Sequence, residues 1–364
     1  MLTTQVLVIG GGPAGAASAR ALANRGIDSI LLERDLNFSK PCGGGIPSTA
    51  FKELSLPEKM IKRLVNNLRI VSPSGTVLDI PLKGGSIAIV ERREFDSTLR
   101  EEAKKAGVNI LQGEFRRFSE ISRRIVSEVV IDGEVTQIRS DYVIAADGVN
   151  SRARLSAGMR PQQSFITLSV KISGQTDSCE FWLSSDHAPR LYSWVFPTAN
   201  GLSVGTGIMG DADLKEAFRR FLLRRGLYGN GAGRGYKIPL WQGDIYNKRN
   251  IIFAGDAAGQ VMPLSFEGIY YAMKSGEIAA EAIIDGKIKN YEKHWKKLFY
   301  KRFLLMRLLW EYFLKDDKNA ERLVDLLKRP DLQEASMRLW LRKDLSPASL
   351  ISYIKHFKFV TGKK

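Results

Sequence analysis

The residues best placed to do chemistry begin at position 10. Gly10, Gly12 and Gly15 spell G-x-G-x-x-G directly after the apolar run Gln5 to Ile9, and Glu33 closes a second apolar run. That pattern suits a dinucleotide. The first glycine permits a tight turn, the second lets the backbone approach a pyrophosphate, and the third packs helix on strand. Unpaired N–H groups at the helix start hold the phosphate charge. An acid about 20 residues on accepts hydrogen bonds from a ribose, which a ligand-free glycine turn leaves unexplained. The motif alone does not separate FAD from NAD. Cys42 stands directly before Gly43, Gly44 and Gly45 in "FSKPCGGGIPS". So permissive a run is either a loose surface loop or a place where backbone and sulfur press against something flat. Asp147-Gly148 and Gly255-Asp256 each follow an apolar run; by itself Asp256 reads as a helix cap or turn residue.

These side chains need elements to position them. Gln5 to Ile9 is expected as a buried strand, followed by an Ala-rich helix to about Asn24 and a second strand from Asp28 to Leu32. Tyr142 to Ala145 and Ile251 to Ala254 read as further strands, with a Pro263 turn and a long helix from about Phe266. "SFITLSVKISG" and "CEFWLSS" alternate as antiparallel strands of a second layer, which "YSWVFP" would join. Tyr192, Trp194 and Phe196 then share one face. Spacing alone makes that stripe an ordinary core strand. From about Asn290 the chain turns helical and basic. Trp295, Leu298, Phe299, Phe303, Met306, Trp310 and Phe313 follow helical spacing, with Lys293, Lys296, Lys297 and Lys301 mostly elsewhere around the helix. Such a helix packs on the domain or lies at a lipid interface. Asp344 or Ser346 starts further short helices.

Composition narrows the class. With 364 residues, 44% hydrophobic and 26% charged, the chain has length for a large core and an ordinary soluble balance. Two cysteines make no disulfide framework, and three histidines far apart leave little for a metal site or a Ser-His-Asp triad, so no metal is expected. Cys179 is expected to be a strand-packing residue. The opening "MLTTQVLVIGGG" runs straight into a strand, and no 18-residue apolar run occurs. The expected location is cytoplasmic, with peripheral membrane contact as an option. The net charge of +16 suits an anionic membrane surface or simple solubility; without a helix-turn-helix, zinc-finger or RNA-binding signature, no nucleic-acid partner is expected. "GNGAGRG" misses a second dinucleotide fingerprint because Arg234 occupies the last position, so it reads as a flexible connection.

Taken together, the G-x-G-x-x-G, "ADGVNSRAR" and "AGDAAG" segments resemble the flavoprotein hydroxylase superfamily, with "VERREFDSTL" similar to its Arg-x-x-Phe-Asp element at Arg92, Phe95 and Asp96. The resemblance implies FAD. It implies an α/β (α+β overall) fold: a Rossmann-type FAD-binding domain from 1-70, 91-160 and 245-290, an antiparallel-sheet substrate domain from 71-90 and 161-244, and a C-terminal helical region from 291-364. The implied cofactor set is Gly10, Gly12, Pro13, Ala14, Gly15, Glu33, Arg34, Cys42, Gly43, Gly44, Arg92, Asp147, Gly148, Gly255, Asp256, Gly268 and Ile269. Asp256 would take a ribityl hydroxyl, the helix start beyond Pro263 would face the charge of reduced flavin, and Gly268 would allow close approach of the ring.

Within the superfamily, "KPCGGG", "RLYSWVFP" and "GIYYAMKSGEIAAEAI", with Gly276 and Glu281, resemble the geranylgeranyl reductases. That branch implies reduction of isoprenoid C=C bonds by hydride from reduced flavin. The electrons would come from an external donor, NAD(P)H or a small redox protein such as ferredoxin, which docks transiently. Cys42 becomes the expected catalytic residue, donating a proton opposite the hydride or tuning the flavin; its competing reading is a small residue beside a turn. Tyr192, Trp194 and Phe196 become an aromatic wall for a polyisoprenoid chain. Phe266 departs from the branch, which has Gly-Glu-Gly where this chain has Phe266-Glu267-Gly268; it is expected to narrow the site or to stack on substrate. The rival functions are a flavin monooxygenase acting on an aromatic or quinone compound, and a non-catalytic flavin- or lipid-binding protein.

Overall fold

Val6 to Ile9 and Ile30 to Leu32 are apolar on both strand faces and are at most 4% exposed, the signature of parallel strands covered on both sides. In the computed structural model, which describes residues 1–228, 233–243 and 246–361, these runs sit inside an eight-stranded sheet. Its order is Asn247–Lys248, Ile251–Phe253, Glu134–Ala145, Leu2–Ile9, Ser29–Glu33 and Asn109–Gln112, with Ile125–Ile131 and Glu114–Ile121 extending it beside Glu134–Ala145. The central pairs are parallel, with Ile9 opposite Ala145 on one side and Leu32 on the other, and Ala145 opposite Phe253. Three carboxyl ends therefore finish at one level: those preceding Gly10, Asp147 and Gly255. The helices Pro13–Ala23 and Ile269–Ile284 pack on each other beside this sheet.

This sheet belongs to the first of two compact units, residues 1–39, 93–164 and 238–301. The second comprises 40–92, 165–237 and 302–364. That division differs from the expected domains in two places. Residues 40–70 fall in the second unit because Gly45–Pro47 and Ile61–Val65 pair with Ile87–Val90, while Asn67–Val71 pairs with Cys179–Trp182. Of the C-terminal helical region, residues 302–364 also fall there rather than standing alone, while 291–301 fall in the first unit. Arg302 donates to the Asp344 and Ser346 carbonyls, Trp310 donates to the Arg190 carbonyl, and Thr49 donates to the Leu341 carbonyl.

The second unit's main sheet runs Arg234–Pro239, Ser164–Ile172, Gly201–Ile208, Ser193–Thr198, Cys179–Trp182, Asn67–Val71, Val77–Pro81. From Ser164–Ile172 to Val77–Pro81 the neighbouring strands pair antiparallel except Cys179–Trp182 with Asn67–Val71, which is parallel. Val195 and Val204 form one face with Phe218 and Phe221 of the helix Leu214–Arg225. On that face Glu180, with no exposed surface, receives both forks of Arg225 at 2.8 and 2.9 Å and the Trp182 indole N–H at 2.8 Å. A fully desolvated carboxylate is tolerable only with such partners. Cys179 is buried with Val65, Ile87 and Ile89 on the other face, as expected of a packing residue.

His187 is buried too. Its Nδ1 lies 2.8 Å from Ser193 Oγ, which is 2.7 Å from Thr206 Oγ1. Burial is the main cause that lowers its pKa from 6.5 to about 4; Arg224 adds to the shift, while Asp186 and Asp317 oppose it. Below pH 6.5 the unfolded chain takes a proton that the folded chain refuses. Stability is therefore fully present above about pH 6.5 and is lost as pH falls toward 4, by up to about 3 kcal/mol. Urea unfolding at neutral pH and near pH 4.5 should show a smaller drop for His187→Gln than for the native chain; equal drops would contradict this.

Of the apolar stripe on the basic tail, Trp295, Phe299, Phe303, Met306, Trp310 and Phe313 are all buried. The stripe is used for packing. Ser346 caps the helix Pro347–Ile354 by accepting the Ser349 N–H, with Asp344 accepting the Ser346 N–H. No described helix is long and apolar enough to cross a membrane. Of "GNGAGRG", residues 229–232 lie outside the described residues, and Arg234 opens a strand.

Candidate functional site

The glycine triad has the geometry its spacing implies. Gly10 adopts φ +99°, and a Cβ there would press into the Ala146 carbonyl and lie 2.9 Å from the Asp147 Cα. Gly15 would drive a Cβ onto the Gly10 carbonyl. These two glycines close the first strand, the helix Pro13–Ala23 and the Ala146–Asp147 strand end onto one another. Gly12 differs: a Cβ there would meet nothing within 4 Å. Its position begins the helix without a side-chain cap, and Pro13 stands at N1. Open space beside uncapped helical N–H groups is a cradle for a phosphate.

Glu33 ends the second strand as expected. One carboxylate oxygen accepts the Gly11 N–H at 2.6 Å and the other accepts the Asp35 N–H at 3.0 Å. Each oxygen retains a lone pair for a ribose hydroxyl. Arg34 beside it is exposed. Arg100, which no motif singled out, is 7% exposed and donates to the Gly11 carbonyl at 3.1 Å and the Leu36 carbonyl at 2.7 Å. It holds the glycine turn and the loop after Glu33 together and brings a positive charge to the phosphate end. The only signal for it was its place two turns into the helix Arg92–Lys105, which the Arg-x-x-Phe-Asp element opens. Arg92 itself is buried at that helix start.

Asp147 is tied to the protein's own groups. Ser151 Oγ donates to it at 2.5 Å and the Ala153 N–H at 3.0 Å, so it anchors the short helix Arg152–Ser156. Desolvation raises its carboxyl above the ordinary aspartate range while these bonds oppose the shift; the residue as a whole keeps some exposed surface. Gly148 follows at φ +83°.

Gly255, at φ +61°, is locked by its N–H donating to Gln260 Oε1 and Ser275 Oγ, both at 2.9 Å. Gln260 donates in turn to Tyr291 Oη at 3.0 Å. This buried network fixes the backbone that carries Asp256. Asp256 Oδ1 lies 3.7 Å from where a Cβ on Gly268 would sit, and Gly268 begins the helix at Ile269 with no side-chain cap. A strand-end carboxylate and a bare helix start therefore face one region. Phe266 has φ +50° and Leu264 φ +71°, a left-handed backbone that costs non-glycine residues about 1–3 kcal/mol each. Glycine at the first of these positions, the pattern of the resembling branch, would avoid that strain.

In the second unit the Cys42 loop lies against the aromatic strand. A Cβ on Gly43 would be 2.7 Å from the Phe196 ring, and one on Gly45 would be 3.1 Å from it. Gly44, at φ +77°, is pressed on the Val90 carbonyl. The flat object beside the glycine run is thus, on the protein's own side, Phe196. Cys42 is a free, half-buried thiol that accepts the Gly44 N–H at 3.4 Å, and its carbonyl accepts Ser203 Oγ at 3.4 Å. Tyr192, Trp194 and Phe196 are half-buried and alternate with buried Ser193 and Val195, so they do share a face. Phe181 joins them, 5.0 Å from Tyr192 and 5.2 Å from Phe196 between ring centroids. Trp194 lies flat over Gly205, where any side chain would collide with the indole.

An open glycine cradle, strand-end acids and bare helix starts form a donor set that fits FAD, and the class they define is an FAD-binding flavoprotein. Residues 3–205 match the FAD binding domain family. The chain belongs to the geranylgeranyl reductase family. It is 32% identical to the chloroplastic geranylgeranyl diphosphate reductase of Arabidopsis thaliana, over 96% of this chain and 83% of that protein. It is 31% identical to digeranylgeranylglycerophospholipid reductase 2 of Methanothermobacter thermautotrophicus, over 97% and 96%. The crystal structure of a geranylgeranyl bacteriochlorophyll reductase-like protein from Thermoplasma acidophilum superposes with a TM-score of 0.84 at 25% identity, covering 99% of this chain and 98% of that one.

Proposed function

We propose that this protein reduces C=C bonds of a geranylgeranyl-type isoprenoid lipid. The observation that carries the reading is the second unit's pairing of a free thiol loop with an aromatic face. The names of the relatives support it. Those relatives share a geranylgeranyl chain and differ in what it is attached to, a diphosphate or a glycerophospholipid.

Bound FAD supplies a two-electron carrier that is charged by an external donor and yields hydride. Gly12 and the helix start at Pro13 would hold its pyrophosphate, Glu33 its ribose, and Asp256 with the helix start at Ile269 its ribityl and ring end. Tyr192, Trp194 and Phe196 bind the apolar chain and exclude water. Cys42 gives its proton to the alkene carbon that does not receive hydride, and solvent reprotonates the thiolate. Hydride and proton together add H2 across one bond. NAD(P)H or a small redox protein docks transiently as donor. Exposed Lys293, Lys297 and Lys301 attract an anionic bilayer from which the lipid chain leaves.

Anaerobic turnover of geranylgeranyl diphosphate should yield product heavier by two hydrogens per reduced bond. A product carrying added oxygen, formed only in air, would contradict the reading. Cys42→Ala should bind FAD normally yet turn over roughly 100-fold more slowly. Unchanged turnover removes Cys42 from the chemistry and leaves the reductase reading standing.

A further inference from the structure

The turn from Met262 to Glu267 connects the Asp256 strand end to the helix Ile269–Ile284. It closes on itself: the Phe266 N–H donates to the Met262 carbonyl at 2.9 Å and the Met262 N–H to the Glu267 carbonyl at 3.0 Å. Glycine or asparagine suits the two left-handed positions of such a turn; bulky apolar residues seldom occupy them. This chain places Leu264 and Phe266 there, both half-buried. Backbone strain of this kind is held in place by the surrounding structure and clusters at active sites and ligand clamps. Two residues beyond Phe266, Gly268 borders Asp256 Oδ1.

We propose that Leu264 and Phe266 are specificity-determining residues that select among prenyl chains by length, which rests on the reductase reading. A polyprenyl chain offers apolar area and no hydrogen-bonding handle along its length. One chain can be told from another only by the shape and extent of the apolar surface it meets. Two side chains held in place by a closed, strained turn supply such a surface with little freedom to adapt.

The test compares Phe266→Gly, Phe266→Ala and Phe266→Leu in the FAD-loaded protein. Phe266→Gly deletes the ring and relieves the backbone, so it should melt a few degrees higher than the native chain; Phe266→Ala keeps the backbone demand and should not. Both should change the ratio of kcat/KM for geranylgeranyl over farnesyl diphosphate by about tenfold or more, with bound FAD unchanged. Phe266→Leu, an exchange that Leu264 shows the turn can hold, reads the same ratio should the glycine variant fold poorly. Ratios within about twofold of the native value in every folded variant overturn the proposal while leaving the reductase reading intact. A native chain that reduces neither substrate overturns both.

Discussion

Gly12→Val is expected to give a folded protein that no longer retains FAD. Gly12 has φ −75° and ψ −174°, which any L-residue adopts, and a Cβ there meets no protein atom within 4 Å. Valine is a poorer helix start than glycine, a cost held to about 1 kcal/mol. The space it fills is the space through which a pyrophosphate reaches the helical N–H groups. The FAD dissociation constant should therefore rise at least about 100-fold, about 2.7 kcal/mol, while the urea midpoint of the FAD-free protein stays close to native. Gly10→Val is the counter-case. Its left-handed φ of +99° and its contact with the Ala146 carbonyl make it a folding defect. Fluorescence titration with FAD, set beside unfolding of the apoprotein, separates the two. A Gly12→Val protein with native FAD affinity would remove the cradle from the phosphate site.

Gly276→Val is expected to destabilise the first unit rather than empty it. Gly276 faces the helix Pro13–Ala23 so closely that a Cβ would fall on the Ala14 carbonyl and lie 3.1 Å from the Ser18 N. A Cβ on Gly255 would likewise meet the methyls of Ala14 and Ala272 at 3.0 and 3.2 Å. Backbone atoms cannot swing aside as a side-chain end does, and overpacking costs 1–3 kcal/mol even where neighbours yield. A loss above about 3 kcal/mol is expected against a total of about 5–15 kcal/mol for a typical protein. It should appear as a lower urea midpoint with FAD present or absent. An unchanged midpoint would mean the two helices have room that the structure denies them.

Much of the first unit was legible because its functional roles are local. Gly10, Gly12 and Gly15 act through backbone conformation within one strand–turn–helix, and Glu33 and Asp256 stand where strands end. What stayed hidden depends on contacts far apart in the chain or on hydrogen bonds that motifs do not encode. The glycines after Cys42 needed Phe196, some 150 residues on, to explain their packing. Asp147 is spoken for by the Ser151 hydroxyl and the Ala153 N–H, which a DG motif does not reveal. Arg100 binds two carbonyls, and carbonyls are present whatever the residue types. The placement of residues 40–70 turned on non-local strand pairing, whose register composition does not specify. The stripe from Trp295 to Phe313 was amphipathic in sequence, and only burial showed that its apolar side is packed within the protein.

Electron transfer from bound FAD to an isoprenoid alkene is most directly observed in a single anaerobic turnover. The purified protein is loaded with FAD, reduced chemically, freed of excess reductant and mixed with geranylgeranyl diphosphate while the flavin absorbance is followed. The yellow oxidised spectrum should return in step with the appearance of a product richer by two hydrogens. Flavin that stays bleached with the prenyl substrate and regains its colour only when air enters would contradict the reductase assignment.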